Sequence, residues 1–261
     1  MNILFIGDLV SANAIEVVAE SLRKLRQVYT IDGVIANGEN IHAHNGINET
    51  QFQNLLYAGV DLVTLGNHTW DQKSIYQFID DERIVRPFNY PSDAPGLGYR
   101  LTYIKNRPFA VICAMGNVNI STLESPFLHI DAIIDDLKAE GCKHILVEIH
   151  AEATAEKRAF GFFLDGKVSA ILGTHTHIPT ADEMILPKGS GYQTDVGMVG
   201  PKYSVIGMEV ERSINRFLTQ RRVNYKQAED NSYEFNATLL TLDDEGGKCQ
   251  NIKRIREEIK L

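Results

Sequence analysis

Residues 60–71 read VDLVTLGNHTWD. The first half is an apolar run broken only by Asp61 and Thr64, of a length that suits a buried strand, and the second half switches to Gly66, Asn67 and His68. Gly66 and Asn67 suit a tight turn, and a polar residue there can cap a helix that begins near Asp71. His68 is left without a structural job. The same order of strand, polar loop and helix occurs twice upstream. Residues 2–6 lead through Gly7-Asp8 to helical spacing over 14–25, and residues 33–36 lead through NGEN to a helix over about 49–57. The third unit runs on into a helix over about 72–78. Repeated units of this kind imply a parallel sheet with helices packed on its faces, so the fold class is α/β.

The second half continues the pattern. Residues 85–108 are rich in proline and glycine and read as loop with a weak strand near 99–104. Strands follow at 109–114, 144–149, 168–172 and 192–196, with helices at about 130–140 and 208–218. Alternating stretches at 224–228, 234–241 and 249–256 read as antiparallel strands, with Gly246-Gly247 as a turn. No internal repeat, low-complexity tract or linker interrupts the chain, and residues 1–261 are read as a single domain.

Composition limits what such a domain can do. A hydrophobic fraction of 44% and a mean hydropathy of -0.17 describe a globule with a sizeable core. A net charge of -8 and a pI near 5.5 exclude a broad basic surface for nucleic acid, so an anionic substrate must meet positive charge supplied locally. A bound metal can supply it. Cys113, Cys142 and Cys249 are odd in number and form no C-x-x-C pair, which argues for reduced thiols and against a disulfide frame or a cysteine zinc site. The opening MNILFIGDLV is too short and lacks the basic leader of a signal peptide, and no later run reaches the ~18 apolar residues of a membrane span. The expectation is a cytoplasmic protein with no membrane partner.

In open α/β sheets, ligands bind beyond the carboxyl ends of the strands. The polar residues gather there: Asp8 after the first strand, Glu39 and Asn40 after the second, Asn67 and His68 after the third, then His150, then His175 and His177. Singly each has a bland reading. Asp8 can cap a helix, Glu39 can be a solvated loop charge, Asn67 a turn residue and His150 a hydrogen-bonded core histidine. His175 and His177 lie two apart, which in an extended segment turns both imidazoles to one side. Together, two carboxylates, two amides and several imidazoles make a mixed oxygen and nitrogen donor set for divalent transition metals. So many donors exceed the needs of one ion and suit two, roughly 3.5 to 4 Å apart and sharing a carboxylate, as in phosphate ester cleavage.

The segments NGEN, TLGNHTWD, HAEATAEK, GTHTHIPTADEMILPKG and TDVGMVGP resemble the calcineurin-like metallophosphoesterase superfamily, and most closely its YmdB-like branch. The resemblance implies a four-layer βαββα sandwich around two metals, iron first in this branch with manganese or zinc as alternatives. It also implies hydrolysis of phosphodiesters, including 2′,3′- or 3′,5′-cyclic nucleotides. Carried over by residue, Asp8, Asn40 and His177 hold the first metal, Asn67, His150 and His175 the second, Glu39 bridges them, and His68 is the catalytic proton donor. Two positions depart from the wider superfamily. Asp8-Leu9-Val10 replaces Asp-x-His, and Glu39 replaces a bridging aspartate, with Asn40 standing in for the missing imidazole. His42 and His44, in IHAHNG, are left unassigned.

The implied mechanism is attack on phosphorus by a metal-activated hydroxide, with His68 protonating the departing oxygen. Two other readings compete with it: a phosphomonoesterase or protein phosphatase with the same metals, and a nucleotide- or RNA-linked regulatory protein in which slow hydrolysis acts as a timer. A homo-oligomer is the default expectation for assembly.

Overall fold

The computed structural model describes residues 1–43, 45–224 and 226–261. Alternation along the strands sets its layers, because successive side chains leave a strand on opposite faces. In the strand Asn2–Ile6, Leu4 and Ile6 enter one apolar cluster and Ile3 and Phe5 another, and all four are buried. In the strand Arg107–Met115, Val111 and Cys113 join the same inner cluster as Phe5, while Ala110, Ile112 and Ala114 face a third. Strands buried on both faces read as continuous apolar runs, as these do.

The first sheet runs Asp8–Leu9, Met198–Pro201, Ser232–Leu242, Asn2–Ile6, Gly33–Asn37, Leu62–Thr64, Ile84–Val85, with Cys249–Lys260 also paired to Ser232–Leu242. Its central members Asn2–Ile6, Gly33–Asn37, Leu62–Thr64 and Ile84–Val85 are mutually parallel. The second sheet runs Met184–Ile185, Gly191–Gln193, Ala170–Thr174, His144–His150, Arg107–Met115, Tyr99–Ile104, and its four middle strands are parallel. Residues such as Phe5, Ile35, Phe109 and Leu146 fill the space between the sheets. Helices Ala14–Val28 and Glu49–Ala58 cover the outer face of the first sheet, and Ile130–Ala139 and Thr154–Leu164 that of the second. The order helix, sheet, sheet, helix is a four-layer sandwich of the α/β class, αββα by layer.

Three local expectations are corrected. The helix over 72–78 is a 3-10 segment, Lys73–Gln77, whose amides at Ile75 and Phe78 bond carbonyls three residues back, at Gln72 and Ile75, the tight pattern of short connecting turns. The segment 224–228 is no strand among the described residues; Gln227 makes an isolated bridge to Met208, which offers no extended edge to pair with. The helix Thr154–Leu164 was unread, although Lys157, Phe160, Gly161 and Leu164 bury one helical face. No described helix is long and apolar enough to cross a membrane, and all three cysteines are free and buried.

Candidate metal centre

The parallel strands of both sheets end toward one rim, and the chain's polar strand ends meet there. Asn67 does not cap the segment after it: its Oδ1 lies 2.9 Å from His150 Nε2. Glu39 Oε1 lies 2.7 Å from the same nitrogen, and His175 Nδ1 lies 3.1 Å from it. Glu39 Oε2 accepts from the His68 amide at 3.1 Å, and Asp8 Oδ2 accepts from the His175 amide at 3.1 Å. Beside this group, His177 Nε2 sits 3.2 Å from Asn40 Nδ2 and 4.0 Å from Asp8 Oδ1. The structure therefore brings Asp8, Glu39, Asn40, Asn67, His150, His175 and His177 to one place, with the backbone of His68 against it.

Gly66 makes the approach possible. A Cβ there would fall inside the van der Waals envelopes of Glu39 Oε2 and the His150 ring. His175 and His177 reach the site by another route than expected. They are not extended; they follow the strand Ala170–Thr174 at φ +95 and +66, a left-handed backbone that side chains rarely adopt. Thr176 between them donates its amide (3.1 Å) and hydroxyl (2.7 Å) to Asp195 Oδ2, which also receives Lys157 Nζ at 2.6 Å. Lys157 and Asp195 are both fully buried, so the strained loop is pinned from inside the second sheet.

Each imidazole is oriented through its outer nitrogen. Thr174 Oγ1 donates to Glu148 Oε1 at 2.6 Å, so only its lone pairs face His150 Nδ1 at 2.9 Å, and Nδ1 carries the hydrogen. The Ile206 carbonyl accepts from His177 Nδ1 at 3.0 Å, and the Glu152 carboxylate lies 3.1 Å from His175 Nε2. His175 and His177 thereby face the cluster with a lone pair, and His150 does so once Nε2 gives up its proton, the arrangement that metal-ligating histidines adopt. His68 differs. Its Nδ1 is held 2.8 Å from Asp71 Oδ2, which Asn45 Nδ2 also contacts at 2.9 Å, and its ring is part-exposed beside the cluster.

The electrostatics call for a cation. Asp8 and Glu39 are fully buried, Asp8 Oδ1 has no hydrogen-bond partner, and Glu39 Oε1 has only its ion pair with His150; burying such charges is costly unless they are paired. Burial raises the Asp8 carboxyl above its ordinary range. Burial also opposes charge on Glu39, but the His150 imidazole outweighs it and holds the carboxyl at about 2. Burial disfavours charge on His150 too, yet Glu39 and Asp8 push it up to about 9. His175, desolvated and facing that charge, falls to about 3. The cluster thus accepts one positive charge from its own rings and has lone pairs left over. Glu39, His150 and His175 can place ligand atoms within 4.8 Å of one another, and the donors fit a divalent transition metal.

Sequence reading missed the groups that orient the rings. Glu148 stands out as a carboxylate within the apolar strand HILVEIH, and Asp71 lies three residues after His68; their partners are set by the fold. His42 has a structural place, its Nδ1 3.1 Å from Asn48 Nδ2 at the start of the helix Glu49–Ala58. His44 lies outside the described residues.

Comparison with known proteins returns consistent relatives. A family model described as YmdB-like protein matches residues 4–255. The chain is 42% identical over 258 residues to a 2′,3′-cyclic-nucleotide 2′-phosphodiesterase of Bacillus subtilis, covering 98% of this chain and 96% of that one. Among solved structures, a phosphatase from Mycoplasma pneumoniae superposes with a TM-score of 0.92 at 32% identity, covering 100% of this chain and 94% of that one. A 5′-nucleotidase precursor from Thermus thermophilus shares the fold alone, with a TM-score of 0.57 at 12% identity over 100% of this chain and 54% of that one.

Proposed function

The chain belongs to the YmdB-like family of calcineurin-like metallophosphoesterases and is a phosphoric diester hydrolase; from that premise we propose that it cleaves cyclic nucleotides, the 2′,3′-cyclic class first, at a centre of two metals. The observation that carries this reading is the meeting of Glu39 Oε1, Asn67 Oδ1 and His175 Nδ1 around His150 Nε2, beside the buried Asp8 Oδ1, which has no hydrogen-bond partner. Asp8, Asn40 and His177 would hold one ion, Asn67, His150 and His175 the other, and Glu39 both. Iron is the first candidate, and manganese or zinc suits the same donors. Two such ions supply positive charge for the phosphoryl oxygens and an acidified water as nucleophile.

The chain's own residues do the rest. Asn67 is drawn toward the metal cluster, so the next side chain, His68, stands beside the leaving group. Asp71 fixes the His68 ring through Nδ1, which leaves Nε2 to give its proton to the departing sugar oxygen. Residues 1–261 act as a single domain in this reading, because both sheets contribute donors to one centre.

The test is an assay of protein purified anaerobically, with its metal content measured, on 2′,3′- and 3′,5′-cyclic AMP and p-nitrophenyl phosphate. The reading expects two ions per chain, iron among them, and preference for a cyclic diester. Preference for the monoester would replace it with a phosphatase, and one ion per chain would remove the bridging role of Glu39.

A further inference from the structure

A cavity of about 600 Å³ opens beside the metal centre, lined by Phe88, Tyr90, Ser92, Thr122 and Glu124 among others. We propose that it seats the nucleobase of the cyclic nucleotide whose phosphate lies on the metals, an inference that rests on the phosphodiesterase reading above. Its position comes first. The Tyr90 ring meets Trp70 edge-on at 5.6 Å between centroids, and Trp70 is two residues past His68. On another wall, Asn89 Nδ2 donates to the Met115 carbonyl at 2.7 Å, and Met115 pairs in register with His150. The next amide, that of Gly116, donates to the His150 carbonyl at 3.0 Å. The cavity therefore adjoins the centre on the side of the proton donor, where one sugar oxygen leaves phosphorus while the other keeps the nucleoside attached.

Its chemistry comes second. The volume falls in the range of small-molecule sites, about 300–1,000 Å³. Phe88 and Tyr90 offer aromatic faces, and every base can stack on one. The lining contains no lysine or arginine, and its one carboxylate among the described residues, Glu124, faces the imidazole of His129, also in the lining, with Oε2 3.4 Å from Nε2. A neutral, flat group with amino hydrogens fits this lining. Asn89 is taken up inside the protein, donating also to the Glu124 carbonyl at 2.8 Å and accepting from the Met115 amide at 3.0 Å. It fixes the Glu124 loop against the strand that ends at Met115, and so sets the width of the slot.

The test compares adenosine 2′,3′-cyclic phosphate with glycerol 1,2-cyclic phosphate, which keeps the five-membered cyclic diester and lacks a base. In the metal-loaded wild type, kcat/KM should favour the nucleotide by about 5- to 150-fold, the range base stacking supplies. Ser92→Trp and Thr122→Trp each fill the slot from an exposed lining position on a different loop. Each should raise KM for the nucleotide by a similar factor and hold the glycerol substrate within about twofold. Equal use of both substrates by the wild type, or filled variants that keep the nucleotide's KM, would overturn the base site and leave the phosphodiesterase reading standing. Failure of the metal-loaded wild type on both substrates would overturn that reading and this inference with it.

Discussion

The two sheets bring different chemistry to the same rim. The first supplies oxygen: Asp8 from its short strand Asp8–Leu9, and Glu39, Asn40 and Asn67 from the turns after its strands, with backbone amides of His175 and His68 held by Asp8 and Glu39. The second supplies nitrogen from His150, His175 and His177, and it carries the buried ionisable groups that brace the rim from behind, Glu148 through Thr174 and Lys157 through Asp195. Carboxylates and amides can be aimed by a turn. An imidazole must also present the correct nitrogen, which takes an acceptor on its far side, and in a buried strand that acceptor must itself be satisfied. The second sheet therefore carries the charged part of the polar network, and the first joins it through Asn37, which donates to Glu148 and accepts from the Glu39 amide.

The hardest blow to the oxygen side is Glu39→Gln. It removes the charge that touches His150 and leaves one acceptor oxygen where two serve His150 and the His68 amide, so at least one ion should be lost and turnover should fall to background. Elemental analysis with a turnover assay checks this, and two retained ions would end the bridging assignment. His68→Ala separates chemistry from metal holding on that same side: turnover should fall by about 10² to 10⁴ fold while metal content stays normal. An unimpaired variant would move proton delivery to another group.

The nitrogen side breaks differently. Lys157→Met strands the Asp195 carboxylate in a fully buried position, and breaking such a pair costs about 3–5 kcal/mol. The denaturation midpoint should drop accordingly, and the loop carrying His175 and His177 should loosen because Asp195 also holds Thr176. Adding Asp195→Leu should recover part of the stability without recovering metal affinity, since nothing then holds the Thr176 amide. A double variant that binds metal normally would show that the left-handed turns need no brace.

The same contrast governs what could be read from the chain. The donors at the first three strand ends were legible because each follows a short apolar run, and a polar residue there has few other reasons to exist. The three strand-loop-helix units placed the parallel core of the first sheet for the same reason. The brace was not legible. Thr174 and Glu148 are 26 residues apart, and Lys157 and Asp195 are 38 apart, so their pairing depends on sheet register and helix docking. The helix that carries Lys157 went unread although its buried face repeats at helical spacing, because the residues around it had been read as motif. The i, i+2 argument for His175 and His177 put both on one side of an extended chain, whereas the chain turns left-handed at each.

The smallest expected effect is the most specific to the brace. Thr174→Val keeps the shape of the side chain and removes the one oxygen that accepts from His150 Nδ1 and donates to Glu148. Glu148, pushed by burial up to about 7, keeps its contact with Asn37 Nδ2 at 2.7 Å, so the strand should stay folded. His150 should lose its fixed orientation, and metal affinity should fall by about 10- to 100-fold, the usual cost of removing a partner behind a ligating histidine. Chelator competition measures that affinity directly. Thr174→Ser restores the hydroxyl and should restore the affinity, which separates orientation of the ring from the packing of a methyl group. If Val binds metal as tightly as Thr, the second sheet aims His150 by packing alone, and its buried carboxylate needs another explanation.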